Sequence, residues 1–186
     1  ACVSFYATKN ITCGEGGAVV TKHRDLYDKL RLLRLQGRTK TAYDRHREGY
    51  RHWDMTVMGW KYNMDNIHAA MLIPQLMVIE NTHDERARLA KAYDERLSAV
   101  VSVGRAIVIE GSRHGRHLYT VWVEGTARDR IIDAMWRNGV EVMVNYRPVH
   151  LTRYFRGRID CKEGMFPNAE RIGSETFSLP FYPKIT

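Results

Sequence analysis

Ser4-Phe5-Tyr6-Ala7-Thr8-Lys9-Asn10-Ile11-Thr12-Cys13-Gly14-Glu15-Gly16-Gly17-Ala18 is the stretch from which the rest of the chain is read. Residues 2–8 and 17–21 are short runs rich in β-formers, and the seven residues from Asn10 to Gly16 are mostly turn formers. The pattern predicts a strand, a loop and a second strand, with Lys9 at the mouth of the loop. Taken alone, Lys9 is a solvated lysine beside a turn, and Gly14, Gly16 and Gly17 serve a hairpin turn, since neither a GxGxxG nor a P-loop pattern is present.

Downstream of this unit, Leu26, Leu30 and Leu33 recur at helical spacing, which predicts an amphipathic helix over 24–36 with Gly37 as its C-terminal cap. Residues 38–60 are polar and aromatic without a period and are expected to form an irregular excursion. Asp65 is a good N-cap for a long helix with Ile67, Ala70, Met71, Pro74 and Val78 on one face, continued by Leu89, Tyr93, Leu97 and Val100. Pro74 predicts a kink. After Gly104 the pattern changes to strands over 106–110 and 118–124, a helix over 128–138 ended by Gly139, a strand over 141–146, and a short helix over 167–177 with Asn168 as a cap. That order predicts a small α+β unit.

Composition narrows the class. With 44% apolar residues, 29 Lys and Arg against 21 Asp and Glu, and a formal charge of +8, the chain has the makings of a globular core and a surface that attracts anions. No run approaches the roughly 18 apolar residues of a membrane span, and the N-terminus lacks a signal-peptide pattern, so the expected location is the cytoplasm. Cys2, Cys13 and Cys161 are odd in number and lack CxxC spacing, which predicts reduced thiols, and no set of ligands at metal spacing is present. The chain starts directly in strand-like sequence and stops on Pro183-Lys184-Ile185-Thr186, so it is expected to be cut at both ends.

The Ser4–Ala18 stretch, the run Gly59-Trp60-Lys61-Tyr62-Asn63-Met64-Asp65-Asn66-Ile67-His68-Ala69-Ala70, and the run Tyr146-Arg147-Pro148-Val149-His150 occur in that order. Phe166-Pro167-Asn168-Ala169-Glu170-Arg171 and Ser178-Leu179-Pro180-Phe181-Tyr182-Pro183 follow. Together they resemble the C-terminal portion of the DegT/StrS-type sugar aminotransferases, fold-type I enzymes dependent on pyridoxal 5'-phosphate (PLP). The resemblance implies an α/β fold: residues 1–64 ending the PLP-binding large domain as strands plus helix, a long kinked connecting helix over 65–101, and a small α+β C-terminal domain over 102–186.

It also implies roles. Lys9 is the catalytic lysine, because PLP chemistry needs a primary amine to form an imine with the cofactor aldehyde. Once released, the same amine moves protons. Ser4 contributes a hydroxyl to the cofactor phosphate, where bare sequence offers a strand residue capping a neighbour. Asn63 reaches the phosphate of the partner subunit's cofactor, where bare sequence offers a residue leading into a helix. His117, Tyr146 and His150 stand at the nucleotide-sugar end, although a lone histidine is commonly structural. The sequence departs from the family at Asn145 and Gln36, where histidines are common, and at Pro74. Lys9 itself separates the chain from the family's dehydratase branch, which has histidine there.

The leading functional expectation is amino transfer, from glutamate, to the keto carbon of a nucleotide-linked deoxysugar, by a homodimer with shared sites and without a nucleic-acid or membrane partner. Two other readings compete. A basic nucleic-acid module would use Tyr43, Tyr50, Trp53 and Trp60 as stacking platforms among arginines, and a catalytically silent fragment would only dimerise. Fold-type I enzymes carry the pyridine-nitrogen aspartate upstream of the lysine, so the 186 residues alone are expected to lack a working PLP site.

Overall fold

A computed structural model describes the chain except for residues 41, 49–51, 126, 159 and 186. It forms two compact units, Ala1–Ile79 and Glu80–Thr186.

In the first unit, β1 (Cys2–Ser4) pairs antiparallel with β2 (Gly17–Val19), in the register Cys2 with Val19, Val3 with Ala18 and Ser4 with Gly17. The strand, loop, strand reading holds. Helix α1 (Arg24–Leu33) follows, and its end is shaped by two consecutive left-handed residues, Gln36 (φ 57°) and Gly37 (φ 72°). Gly37 N–H bonds the Leu32 carbonyl at 2.8 Å, as a cap of this kind should. A Cβ at Gly37 would also meet the Val57 carbonyl oxygen at 1.7 Å, because the returning chain runs against this turn. That return is built from Gln36 N–H to Trp60 O (2.9 Å), Trp60 N–H to Leu33 O (2.7 Å) and Tyr62 N–H to Arg34 O (2.9 Å).

The excursion over 38–60 is not wholly irregular: it contains a short helix, α2 (Ala42–Glu48). Seven residues are too few for a hydrophobic period to register in sequence. Of the aromatics proposed as stacking platforms, Tyr50 lies outside the described residues, and Trp53 stacks under the Arg38 guanidinium, whose carbon is 4.1 Å from the ring centre.

Asp65 caps helix α3 (Asn66–Met77), its carboxylate accepting from the N–H groups of Ile67 and His68 at 2.9 Å each. The helix runs through Pro74 and ends three residues later, at Met77. Val78 leaves helical values (φ −114°, ψ 12°), and α4 (Ile79–Leu97) begins next. The long helix is therefore interrupted at Val78, four residues after the proline. Proline removes one donor and crowds the carbonyl one turn earlier, which weakens the ladder over the surrounding turn.

The second unit is built on an antiparallel sheet in the order β3 (Gly104–Arg105), β4 (Tyr119–Trp122), β5 (Thr176–Leu179). Tyr119 faces Leu179 and Val121 faces Phe177. Tyr119, Val121 and Phe177, with Val123, Val142 and Ala90 of α4, are buried and form the core, and Leu179 packs against it. Ile131, Ile132 and Met135 of α5 (Ala127–Arg137) pack against it.

The strand expected over 106–110 pairs only at Gly104–Arg105, and Ile107 and Ile109 are exposed. The strand expected over 141–146 reduces to one bridge, Met143 with Ser178. In both places the β-forming run is real, but among the described residues no neighbouring strand runs far enough to pair with it. A 3₁₀ turn (Val149–Leu151), α6 (Arg153–Arg158) and α7 (Pro167–Glu175) complete the unit. Helix α7 is capped at Phe166, with Pro167 in its first turn, rather than at Asn168, and it gives way to β5 at Thr176 instead of reaching 177. Among the described residues no helix is long and apolar enough to cross a membrane.

Candidate functional site

Lys9 lies in the turn that follows β1, half-buried, with its N–H bonded to the Tyr6 carbonyl at 2.9 Å. The loop around it is closed at its base. Phe5 N–H reaches the Gly16 carbonyl at 2.8 Å, while the Phe5 carbonyl accepts from Cys13 N–H at 3.1 Å and from the Thr12 hydroxyl at 3.0 Å. Cys13 is buried at its centre. A second anchor comes from α3: Gln75 Oε1 accepts from Thr12 N–H at 2.9 Å and Gln75 Nε2 donates to the Thr12 carbonyl at 2.7 Å. Both backbone groups of Thr12 are thus held by one side chain across 63 residues of sequence. No local pattern signals Gln75, which is why sequence reasoning missed it.

Ser4 is exposed on β1, and its Oγ accepts from Tyr6 N–H at 3.3 Å. That is the capping role which bare sequence offered. Because the oxygen is the acceptor there, the hydroxyl proton remains available as a donor. Asn63 is half-buried just ahead of α3, and its Oδ1 accepts from Lys61 Nζ, which leaves its amide NH2 as the donor end. Asp65, two residues on, has its carboxyl held below the usual range. The His68 N–H is the main cause, helped by the His68 ring, whose Nδ1 lies 2.6 Å from Oδ2.

The remaining predicted residues belong to the second unit. Tyr146 is exposed. The segment that carries it packs tightly on α7 at Gly173, where a Cβ would meet Pro148 Cδ at 2.4 Å and the Tyr146 carbonyl at 3.3 Å. His150 is largely buried and its Nε2 donates to Glu170 Oε1 at 2.9 Å, with Phe166 edge-on to the ring at 4.8 Å. Glu170 also accepts from Gly164 N–H at 2.8 Å and Phe166 N–H at 3.2 Å. The backbone N–H of Gly164 first, and His150 next, hold the Glu170 carboxyl below the ordinary carboxylate range. His117 is half-buried, and its carbonyl accepts from Arg86 Nη1 at 3.5 Å. Arg86 and Glu170 are the second unit's counterparts of Gln75, since Arg86 reaches His117 across 31 positions and Glu170 reaches His150 across 20.

Ser4, Lys9 and Asn63 thus lie in the first unit, and His117, Tyr146 and His150 in the second. By residue type, a primary amine and a hydroxyl with a free proton suit an aldehyde-bearing phosphate ester, and an amide NH2 suits a phosphate, so the residues present fit PLP.

The fold is that of the C-terminal half of a fold-type I PLP enzyme. The chain belongs to the DegT/DnrJ/EryC1/StrS aminotransferase family, whose family model matches residues 1–186. It is 35% identical over 188 residues to an uncharacterised protein of Methanocaldococcus jannaschii, and 33% identical over 189 residues to the spore coat polysaccharide biosynthesis protein SpsC of Bacillus subtilis. Each match covers 98% of this chain and 49% of the relative. Among solved structures it is similar to DesV of S. venezuelae in complex with a ketimine intermediate, at 29% identity and a TM-score of 0.88, over 100% of this chain and 47% of that one. The chain spans about half the length of the relatives it matches. Aminotransferases of this family are PLP-dependent, and the structural neighbours include one in a PLP form.

Proposed function

We propose that this chain is the part of a PLP-dependent sugar aminotransferase that carries the catalytic lysine and the substrate-side α+β unit. The reaction transfers an amino group, from glutamate, to the keto carbon of a nucleotide-linked deoxysugar. The observation that carries the reading is Lys9, in a loop closed by Phe5, Thr12, Cys13 and Gly16 and anchored by Gln75, within a family match that spans residues 1–186.

Bound PLP supplies an aldehyde that captures amines and a ring that accepts electrons from the adjacent carbon. The chain supplies the rest of what can be assigned to it. Lys9 Nζ removes the proton from the donor's amine-bearing carbon and, in the second half of the reaction, returns one to the sugar carbon that becomes aminated. Ser4 Oγ–H and the Asn63 amide donate to the phosphate, the latter across a homodimer. His117, Tyr146 and His150 meet the nucleotide-sugar, and the excess of basic residues favours approach of its diphosphate.

The homodimer is supported by α3. Only Leu72 of that helix is buried, while Ile67, Met71, Ile73, Leu76 and Met77 are exposed, as expected of a helix that another surface covers. The same apolar surface favours a second reading, in which the 186 residues by themselves associate and are catalytically silent.

The test is amination of a nucleotide-linked keto-sugar with glutamate, in a polypeptide that supplies both halves of the family fold, with and without Lys9→Ala. Loss of turnover in the variant is expected; a Lys9→Ala protein of undiminished activity overturns the reading. For the shared site, mixing inactive Lys9→Ala with inactive Asn63→Ala protein restores part of the activity. No recovery after confirmed subunit exchange contradicts it.

A further inference from the structure

Helix α4 presents Glu80, His83 and Arg86 at intervals of three residues, which places them along one face. Each meets the segment leading into β4 in turn. Glu80 Oε2 accepts from Arg113 Nη2 at 2.5 Å, and His83 Nε2 lies 2.9 Å from the His114 carbonyl. Arg86 Nη1 donates to the carbonyls of Arg116 at 3.2 Å and His117 at 3.5 Å. The chain from 113 to 117 is thus held in register against the helix. Arg86 Nη1 also donates to the Phe181 carbonyl at 3.3 Å, which ties the C-terminal segment to the same point.

Arg86 differs from the other two in its burial, with 8% of its surface exposed. The carbonyls that accept from Nη1 carry no net charge, the Phe181 ring centre lies 5.6 Å from the guanidinium carbon, and among the described residues no carboxylate offsets the guanidinium. Burial alone lowers its pKa, with no opposing cause, and Nε is buried without an acceptor. A buried cation without a counter-ion costs stability, so an apolar side chain of similar length would serve better if packing were the only demand. The bonds fall at an unusual piece of backbone, since Arg116 is left-handed (φ 49°), a conformation that residues other than glycine adopt rarely.

We propose that Arg86 is a positioning residue that fixes the backbone at Arg116–His117 and thereby aims the His117 side chain. The proposal rests on the reading of His117 as a substrate-side residue. It deepens that reading by naming what holds the histidine in place.

Arg86→Met and Arg86→Lys variants of a polypeptide that supplies both halves of the family fold test it by three measurements: the urea midpoint of unfolding, amide hydrogen exchange over residues 116–119, and the ring NMR resonances of the histidines. Arg86→Met is expected to keep or raise the midpoint while the His117 amide exchanges roughly tenfold faster. The His117 ring resonances shift and those of His150 do not. Arg86→Lys, with a cation that reaches fewer carbonyls at once, restores part of the protection.

Unchanged His117 exchange and resonances in Arg86→Met overturn the proposal. So does a lowered midpoint with protection lost evenly across β4 and α5 and no rescue by lysine, which marks a purely structural role. These readouts need no substrate. If His117 moves as expected but His117→Ala leaves KM for the nucleotide-sugar unchanged in the two-half protein, the substrate reading of His117 fails and the positioning role stands.

Discussion

The two units differ in what they bury. In the second, Tyr119, Val121, Val123, Val142 and Phe177 come together with Ala90 in one core, closed by residues of α5. In the first, Cys13 and Leu72 are the buried apolar side chains among the described residues, while Val3, Val19, Tyr27, Trp60 and Tyr62 remain exposed around an apolar groove of about 650 Å3. The first unit nevertheless carries Lys9 and the loop that presents it. Its order comes from hydrogen bonds: the β1–β2 ladder, the closure of the loop at Phe5, the Gln75 clamp and the Asp65 cap. A two-stranded ribbon with an uncovered face is marginal on its own. The contrast teaches that the lysine proposed as catalytic sits on a frame held mainly by hydrogen bonds, whereas the second unit is held by its own apolar core.

This contrast predicts unequal responses to mutation. Phe177→Ala removes a ring that is 3% exposed and is expected to cost the second unit about 3–5 kcal/mol, read as a lower urea midpoint for β4 and β5 signals. An equal loss in the first unit's signals would erase the distinction between the units. Gln75→Ala leaves both backbone groups of Thr12 without their partner. The expected cost is about 1–3 kcal/mol, confined to the lysine loop and visible as faster amide exchange at Thr12 and Cys13. Exchange rates there identical to the parent protein would show that α3 does not hold the loop. Asp65→Ala removes the cap of α3 and is expected to fray its first turn, measured as faster amide exchange at Ile67 and His68.

The smallest effect is a pH dependence in the second unit. Glu170 is held below its unfolded carboxyl value by the N–H groups of Gly164 and Phe166 and by His150. Its contribution is therefore fully present above the unfolded pKa of about 4.3 and is lost as pH falls through the lower folded value. Urea midpoints taken from neutral pH down to pH about 3 should fall more for the parent than for Glu170→Gln. Parallel curves would contradict the assignment.

Much of this organisation was legible in the sequence where the signal is local. Turn formers between two β-rich runs, a three-leucine period ending at Gly37, and Asp65 ahead of an apolar run each describe a structure that neighbouring residues decide. Segments whose state depends on a distant partner were not legible. The apolar run over 106–110 has, among the described residues, no strand to pair with beyond Arg105, whereas Thr176–Leu179, read as the end of a helix and the start of a signature, becomes a central pairing for β4. For the site, Lys9, Ser4 and Asn63 stood out through family resemblance. The side chains that organise the two units did not, because Gln75 meets Thr12, Arg86 meets His117 and Glu170 meets His150 only after folding.

The central claim is that Lys9 bears the cofactor, and reductive trapping tests it most directly. A polypeptide supplying both halves of the family fold is loaded with PLP, reduced with borohydride and digested, and the modified peptide is identified by mass spectrometry. The account predicts a single phosphopyridoxyl label on the peptide containing Lys9, absent from the Lys9→Ala variant. A label on another lysine, with Lys9→Ala still able to aminate a nucleotide-linked keto-sugar, would contradict it.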